Sequence, residues 1–223
     1  MASITDICNL ALSNIGDTAT VVSISPPSGS VQAVHCARFY PVALNAILEM
    51  HTWDFAVKRV SLALLSETPP SPWRYAYTAP GDALNLLSIL DPAATDDYSA
   101  GLIQYGSYQG PPGAMVSIYT TQPFTSEVDP TGTQVIYTNQ QNAILRYSGA
   151  TTDTTTFSPL FIMALGYLLG SMLAGPVIKG AEGRAEAKAQ YQLFKASMAE
   201  AVESDANQRN IKPTASVGWI ANR

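Results

Sequence analysis

The sequence is poor in charge, cysteine and histidine. Only 13% of its 223 residues are Asp, Glu, Lys or Arg, about half of the ~25% usual in soluble domains, while 47% are hydrophobic. Something other than water must cover part of so weakly charged a surface. Two cysteines, Cys8 and Cys36, and two histidines, His35 and His51, exclude most disulfide and metal frameworks. The 12 basic residues face 17 acidic ones for a net −5, and no basic run is longer than Lys58-Arg59, so the clustered cationic footprint of a nucleic-acid binder is missing. P-loop, G-x-G-x-x-G, G-x-S-x-G, H-E-x-x-H and C-x-x-C motifs are all absent, and no cofactor is expected. The N-terminus has no cationic stretch followed by an apolar run, so no export signal is read there and a reducing cytosol is the expected compartment.

What is present is helical at both ends. Ile4, Ile7, Cys8, Ala11, Leu12 and Ile15 share one helical face, Ser3 and Asp6 form a capping pair, and Gly16 supplies the stop. A Ser/Pro/Gly turn over 23–30 leads to a second helix over 31–51, with Leu44, Ile47 and Leu48 on its apolar side and a kink expected at Pro41. Residues 157–178 carry no charge, over a length that meets the ~18-residue criterion for a membrane span. Gly166, Gly170 and Ala174 recur every fourth position there, a spacing that lets another helix approach closely. A lone span late in an acidic, otherwise polar chain is an odd topology, so the segment is read as a buried or subunit-facing helix and not as a membrane span. A last helix over 179–205 is expected to bury Ala187, Tyr191, Phe194, Met198 and Val202 and to show Arg184, Lys188 and Lys195 on its surface.

Between these ends the pattern changes to short runs such as 116–120 and 134–138 among Pro, Gly, Asp and Tyr, as in β-hairpins. Residues 60–153 hold eight acids against two bases. The whole reads as α+β: an antiparallel helical bundle core (1–59 and 154–205), an inserted β-rich region (60–153) and an extended C-terminal arm (206–223). That arm has no periodicity yet ends in Val217, Trp219 and Ile220, a polar tail with an apolar tip suited to docking on a partner.

Chemistry-bearing constellations are few. His35 and Cys36 project in different directions, and His51 lies about 160° round an ideal helix from His35, so they share no metal. Glu49 and Asp54, imagined as an acid and nucleophile pair, stand about 140° apart on a helix, and no sugar cleft is recognisable. Trp53, Phe55 and Trp73 read as core anchors, each burying roughly 150–250 Å². Their order is more specific: Phe39-Tyr40-Pro41, Met50-His51-Thr52-Trp53-Asp54-Phe55-Ala56, Lys58-Arg59, Trp73-Arg74-Tyr75-Ala76-Tyr77 and Pro80-Gly81-Asp82, continuing in Ile136-Tyr137-Thr138-Asn139, Leu145-Arg146-Tyr147, Phe157-Ser158-Pro159-Leu160-Phe161 and Ser216-Val217-Gly218-Trp219-Ile220-Ala221-Asn222-Arg223. This string resembles the head-to-tail adaptor proteins of short-tailed bacteriophages, also called tail tubular protein A, over most of the chain. It departs from them at Thr52, where a proline is expected, and in a longer stretch over 91–130.

The resemblance implies a structural virion protein at the head–tail junction, assembled in the host cytoplasm. It implies a ring, a dodecamer of this chain, between the portal protein and the tail nozzle protein, through which double-stranded DNA passes without sequence-specific contact. It also places Val217, Trp219, Ile220 and Arg223 on the portal. The alternative from another class is a virion-associated cell-wall hydrolase.

Overall fold

The computed structural model describes residues 2–18, 20–92 and 122–208 and shows a mixed α+β fold. Val217, Trp219, Ile220 and Arg223, the run 116–120 and the polar tips at 96–97 and 110–113 lie outside the described residues. Two compact units emerge, one of residues 2–57 and 150–208, the other of 58–149.

The first unit is helical. Helix α1 (Ile4–Asn14) starts in a complete capping box, the Ser3 Oγ accepting from the Asp6 N–H at 3.2 Å and the Asp6 carboxylate from the Ser3 N–H at 2.8 Å. It buries Ile7, Cys8, Ala11 and Leu12. Helix α2 (Val31–Met50) is capped by Ser30, runs on through an exposed Pro41 and buries Ala33, Cys36, Tyr40, Ala43, Leu44, Ile47 and Leu48. Helix α3 (Pro159–Ile178) is capped by Ser158, whose Oγ accepts from the Phe161 N–H, and opens on Pro159, whose missing N–H costs nothing in a first turn. By length and composition alone α3 could cross a membrane, and half of its apolar window is buried inside the protein. Helix α4 (Gly180–Ala206) follows a corner at Lys179, whose φ of 64° lies in the left-handed region that glycine favours.

Helix α3 packs on α4, α1 and α2, and its small residues decide how closely. A Cβ on Gly166 would stand 3.1 Å from the Leu10 Cδ2, and one on Gly170 would stand 3.4 Å from both the Ala11 carbonyl oxygen and the Gln190 Oε1. Ala174 is fully buried, and its carbonyl oxygen would lie only 2.9 Å from a Cβ on Gly183 of α4. The small-residue row therefore faces helices of the same chain.

The face of α4 differs from expectation. Gly183, Gln190, Phe194, Ser197, Ala201 and Asp205 are buried. Tyr191 is 40% exposed with the Lys195 ammonium over its ring, and Ala187, Met198 and Val202 are only partly buried. The hydrophobic stripe read from the sequence thus kept only Phe194. Close approach to α3 selects small residues, and specific hydrogen bonds hold the buried Gln190 and Asp205 (below), so apolarity is a poor guide to this face.

The second unit is β-rich. Strands β1 (Val57–Ser61), β2 (Tyr75–Thr78), β3 (Ala83–Leu90), β4 (Phe124–Val128), β5 (Gln134–Thr138) and β6 (Ile144–Gly149) form two three-stranded sheets, ordered β1-β6-β3 and β2-β5-β4. The β3/β6, β2/β5 and β4/β5 pairs are antiparallel, and β3 shifts register against β6 between Ala83 and Asn85 and between Leu86 and Ser88. Both sheets contribute to one core of Tyr77, Ala79, Ile89, Ile136, Ala143, Leu145 and Tyr147. Trp73 is no part of that core and is only half-buried, because it precedes β2 in a turn; Tyr77 takes the anchoring role instead, its hydroxyl donating to the Gln140 carbonyl at 2.9 Å. The β4–β5 hairpin closes on Asp129, whose Oδ1 accepts from the N–H groups of Thr131 and Thr133. The Asp82 carboxylate joins the strands on either side of β6, pairing with the Lys58 ammonium at 2.7 Å and accepting from the Tyr147 hydroxyl at 3.1 Å.

Two predictions follow from this packing. Gly183→Ala should destabilise the protein by about 1–2 kcal/mol, because overpacking against a backbone carbonyl exceeds the ~1 kcal/mol that alanine gains in a helix. Gly166→Ala meets only the end of a movable Leu10 side chain and should be neutral or stabilising by up to ~1 kcal/mol; denaturant titrations giving the opposite order would refute this account. Lys58 holds the Asp82 carboxyl below its ordinary range, helped by Tyr147. A lowered folded-state value contributes stability that is present above the unfolded value and is lost as pH falls through the folded one. Both side chains are about two-fifths exposed, so the contribution is screened to ~1 kcal/mol or less. The stability gap between wild type and Asp82→Asn should therefore be largest near neutrality and close below about pH 4, as acid titration of the unfolding midpoint will show.

Candidate functional site

Part of the string quoted above meets around Trp53: His51 and Phe55 from the turn after α2 and Phe161 from α3. Helix α2 ends at Met50, and its last carbonyls have no partner within the helix. The chain turns at His51 and returns Trp53, whose indole N–H donates to the Ile47 carbonyl at 2.9 Å from a fully buried position. Around it stand His51 (ring centroids 4.8 Å, edge-on), Phe161 (4.9 Å, edge-on) and Phe55 (5.9 Å, stacked). Phe55 meets Phe157 at 5.4 Å and Phe161 at 5.0 Å, and Phe157 meets Phe161 at 4.8 Å. Edge-on and tilted contacts are the arrangements ring quadrupoles favour. Trp53 and Phe55 thus belong to one aromatic cluster that joins the turn after α2 to the start of α3.

The same turn holds the end of α4. The Asp205 carboxylate is 5% exposed; its Oδ1 accepts from the Asp54 N–H at 3.2 Å and its Oδ2 pairs with the His51 Nε2 at 3.2 Å. Burying so polar a group costs little where hydrogen bonds satisfy it. The clasp sits one residue before the helix ends at Ala206. A second cross-link lies further along α4, where the Gln190 Nε2 donates to the Asn14 carbonyl in the last turn of α1 at 2.9 Å and to the Glu186 carboxylate at 2.8 Å. Neither Gln190 nor Asp205 stood out in the sequence. Their spacing with Phe194, Ser197 and Ala201 along one helical row was the available signal.

The remaining candidates do not assemble. His35 stacks on Phe39 and His51 on Trp53, and among the described residues no group of three or more His, Cys, Asp or Glu is placed to hold a metal ion. Glu49 is exposed and Asp54 half-buried. A shallow cavity of about 270 Å³ lies in the other unit, lined among the described residues by Arg59, Val60, Ser61, Leu90, Asp91, Pro92 and Ile144. No family model and no curated protein matches this chain.

Removing the Asp205 carboxylate takes away the acceptor of the Asp54 N–H in a buried setting. Asp205→Ala should cost about 1–3 kcal/mol, and Asp205→Asn, which keeps one acceptor oxygen, should cost less. Thermal melts of both variants check the clasp, and equal stability of Asp205→Ala and wild type would show that it holds nothing.

Proposed function

We propose that the chain is the ring-shaped head-to-tail adaptor of a short-tailed bacteriophage. In this reading it is a structural virion protein that joins the portal protein to the tail nozzle protein and extends the DNA channel, with neither catalysis nor cofactor in its role. Twelve copies form the ring at the head–tail junction after assembly in the host cytoplasm. The fold in this reading is an antiparallel helical bundle core with an inserted β-rich subdomain and an extended C-terminal arm.

The observation that carries the proposal is where the resembling residues lie. The stretch 50–56 forms the Trp53 turn that clasps the end of α4 through Asp205, and the string ends at Trp219 and Arg223. A C-terminal stretch with an aromatic and an arginine at its tip suits an anchor that enters a pocket of a partner, since Trp and Arg are the residue types most often decisive in such pockets. Low overall charge suits a subunit whose flanks are covered by neighbours. The eight acids against two bases in 60–153 suit a passage from which phosphate is repelled and not gripped.

Two outcomes are expected. The isolated chain should be a monomer or weak oligomer by light scattering and should form the ring only on portal-bearing heads; a stable closed ring at micromolar concentration without portal would contradict this. Deleting residues 217–223 should leave the melting temperature of the isolated chain almost unchanged while abolishing its addition to portal-bearing heads. Loading as efficient as that of the intact chain, or a melt many degrees lower, would overturn the docking role.

A further inference from the structure

In the sheet ordered β2-β5-β4, strand β4 pairs with β5 along one edge, and among the described residues no strand meets its other edge. The pairing is antiparallel and continuous, from Phe124 opposite Thr138 to Val128 opposite Gln134. Just beyond it the Asp129 N–H donates to the Thr133 carbonyl at 2.9 Å. Antiparallel partners alternate between pairs that exchange backbone hydrogen bonds and pairs that do not, so a bonded pair at Asp129 and Thr133 makes Glu127 and Thr125 the residues of β4 that bond to β5. Phe124, Ser126 and Val128 therefore turn their backbone N–H and C=O groups outward, and Ser126, Glu127 and Val128 are exposed. Such an edge is a template for another strand, and proteins usually blunt it with lysine, proline or a bulge. Strand β4 contains none of these.

We propose that β4 is a self-association edge, which pairs antiparallel with β4 of a second copy across a two-fold axis at Ser126 and joins two sheets into one. The strand's own pattern selects this occupant and this register. With Ser126 opposite Ser126, every outward residue finds a bonding partner, Phe124 with the second copy's Val128 and Val128 with its Phe124. Glu127, the one charged residue of the strand, then faces Thr125. Sliding the copies by two residues in one direction would set Glu127 against Glu127, and in the other would leave Val128 beyond the end of the partner strand.

The same register covers exposed apolar surface. Phe124 packs against the core of the β-rich unit, and Val128 lies on the same face of the strand but is 69% exposed. Pairing places each Val128 directly opposite the Phe124 of the other copy, where cross-strand apolar side chains touch. A contact between two five-residue strands is well below the standard interface size, so the dimer should be weak, with a Kd on the order of 100 μM. A two-fold contact of this kind is isologous and does not by itself generate a ring, so the inference goes beyond the adaptor reading and stands or fails independently of it.

Sedimentation velocity of the full chain tests this at physiological ionic strength, which screens the surplus acids of residues 60–153. From concentrations tenfold below that Kd to tenfold above it, the wild type should pass from monomer to dimer. Ser126→Pro removes an outward N–H at a place where an edge strand tolerates proline, and it should stay monomeric with the monomer's melting temperature almost unchanged. Val128→Lys is the second variant, usable if the proline disturbs the strand, and should also stay monomeric. Thr125→Cys and Glu127→Cys chains, mixed and oxidised, should give mixed linked dimers well above their statistical share, because these two positions form the closer, non-bonded pairs; the native Cys8 and Cys36 are fully buried. A wild type that stays monomeric across the range, a variant that folds and dimerises as strongly as wild type, or linked products in statistical proportion would each overturn the proposal.

Discussion

The helical unit depends on one constraint: helix α3 has no charged residue on any side, and such a helix is stable in water only when other elements cover it. The covering is achieved by proximity. Gly166 and Gly170 bring α1 close, and Ala174 with Gly183 brings α4 close, which increases dispersion contact per unit length and leaves little room between the backbones. Helix α1 needs its capping box for the same reason. Eleven residues are too few for an isolated helix to persist in water, so its N-terminal end is fixed locally by Ser3 and Asp6 and its flank by α3.

The β-rich unit is stabilised by a different balance. Its hydrophobic cluster is small and centred on Tyr77, Ile89, Ile136, Leu145 and Tyr147, and much of its order comes from side chains that complete backbone turns. Asp129 closes the β4–β5 hairpin, the Gln140 carbonyl receives Tyr77, and Asp82 ties Lys58 to Tyr147. Turns of this kind specify a local conformation at little energetic gain where they are exposed. Their gain is in register: a slip of one residue would exchange the core and solvent faces of every strand.

Much of the helical framework was legible in the sequence, because capping residues and apolar periodicity are local signals. Ser3 with Asp6 marked the start of α1, the uncharged run 157–178 overlaps α3, and the stretch 134–138 coincides with β5. Pattern failed at α4, where the expected Tyr191 stripe is displaced by a face of Gly183, Gln190, Ser197, Ala201 and Asp205. Small and polar residues at a close helix contact look like a solvated face when hydropathy is the only guide. Trp73 misled for a related reason: aromatic identity signals burial on average, but its position before β2 leaves it half-exposed while Tyr77 fills the core. The clasp at Asp205 was out of reach, because its partners His51 and Asp54 are separated from it by more than half the chain.

Those polar residues answer a question that the apolar helix raises. With apolar side chains all round, α3 carries no pattern of its own that fixes which way its neighbours are rotated or how far they slide along it. Hydrophobic burial would be nearly equal in several registers. Gln190 and Asp205 remove that freedom because each reaches its partner on another element at one register only. Gln190 must reach the Asn14 carbonyl, one of those left open at the end of α1. Asp205 must meet the Asp54 N–H and the His51 ring. A slide of α4 by one turn would bury both groups without these partners, at a cost of about 1–3 kcal/mol each, more than small differences in apolar packing would return. The apolar surface supplies the attraction between the helices, and these two buried polar side chains select the alignment in which α4 ends beside the Trp53 turn.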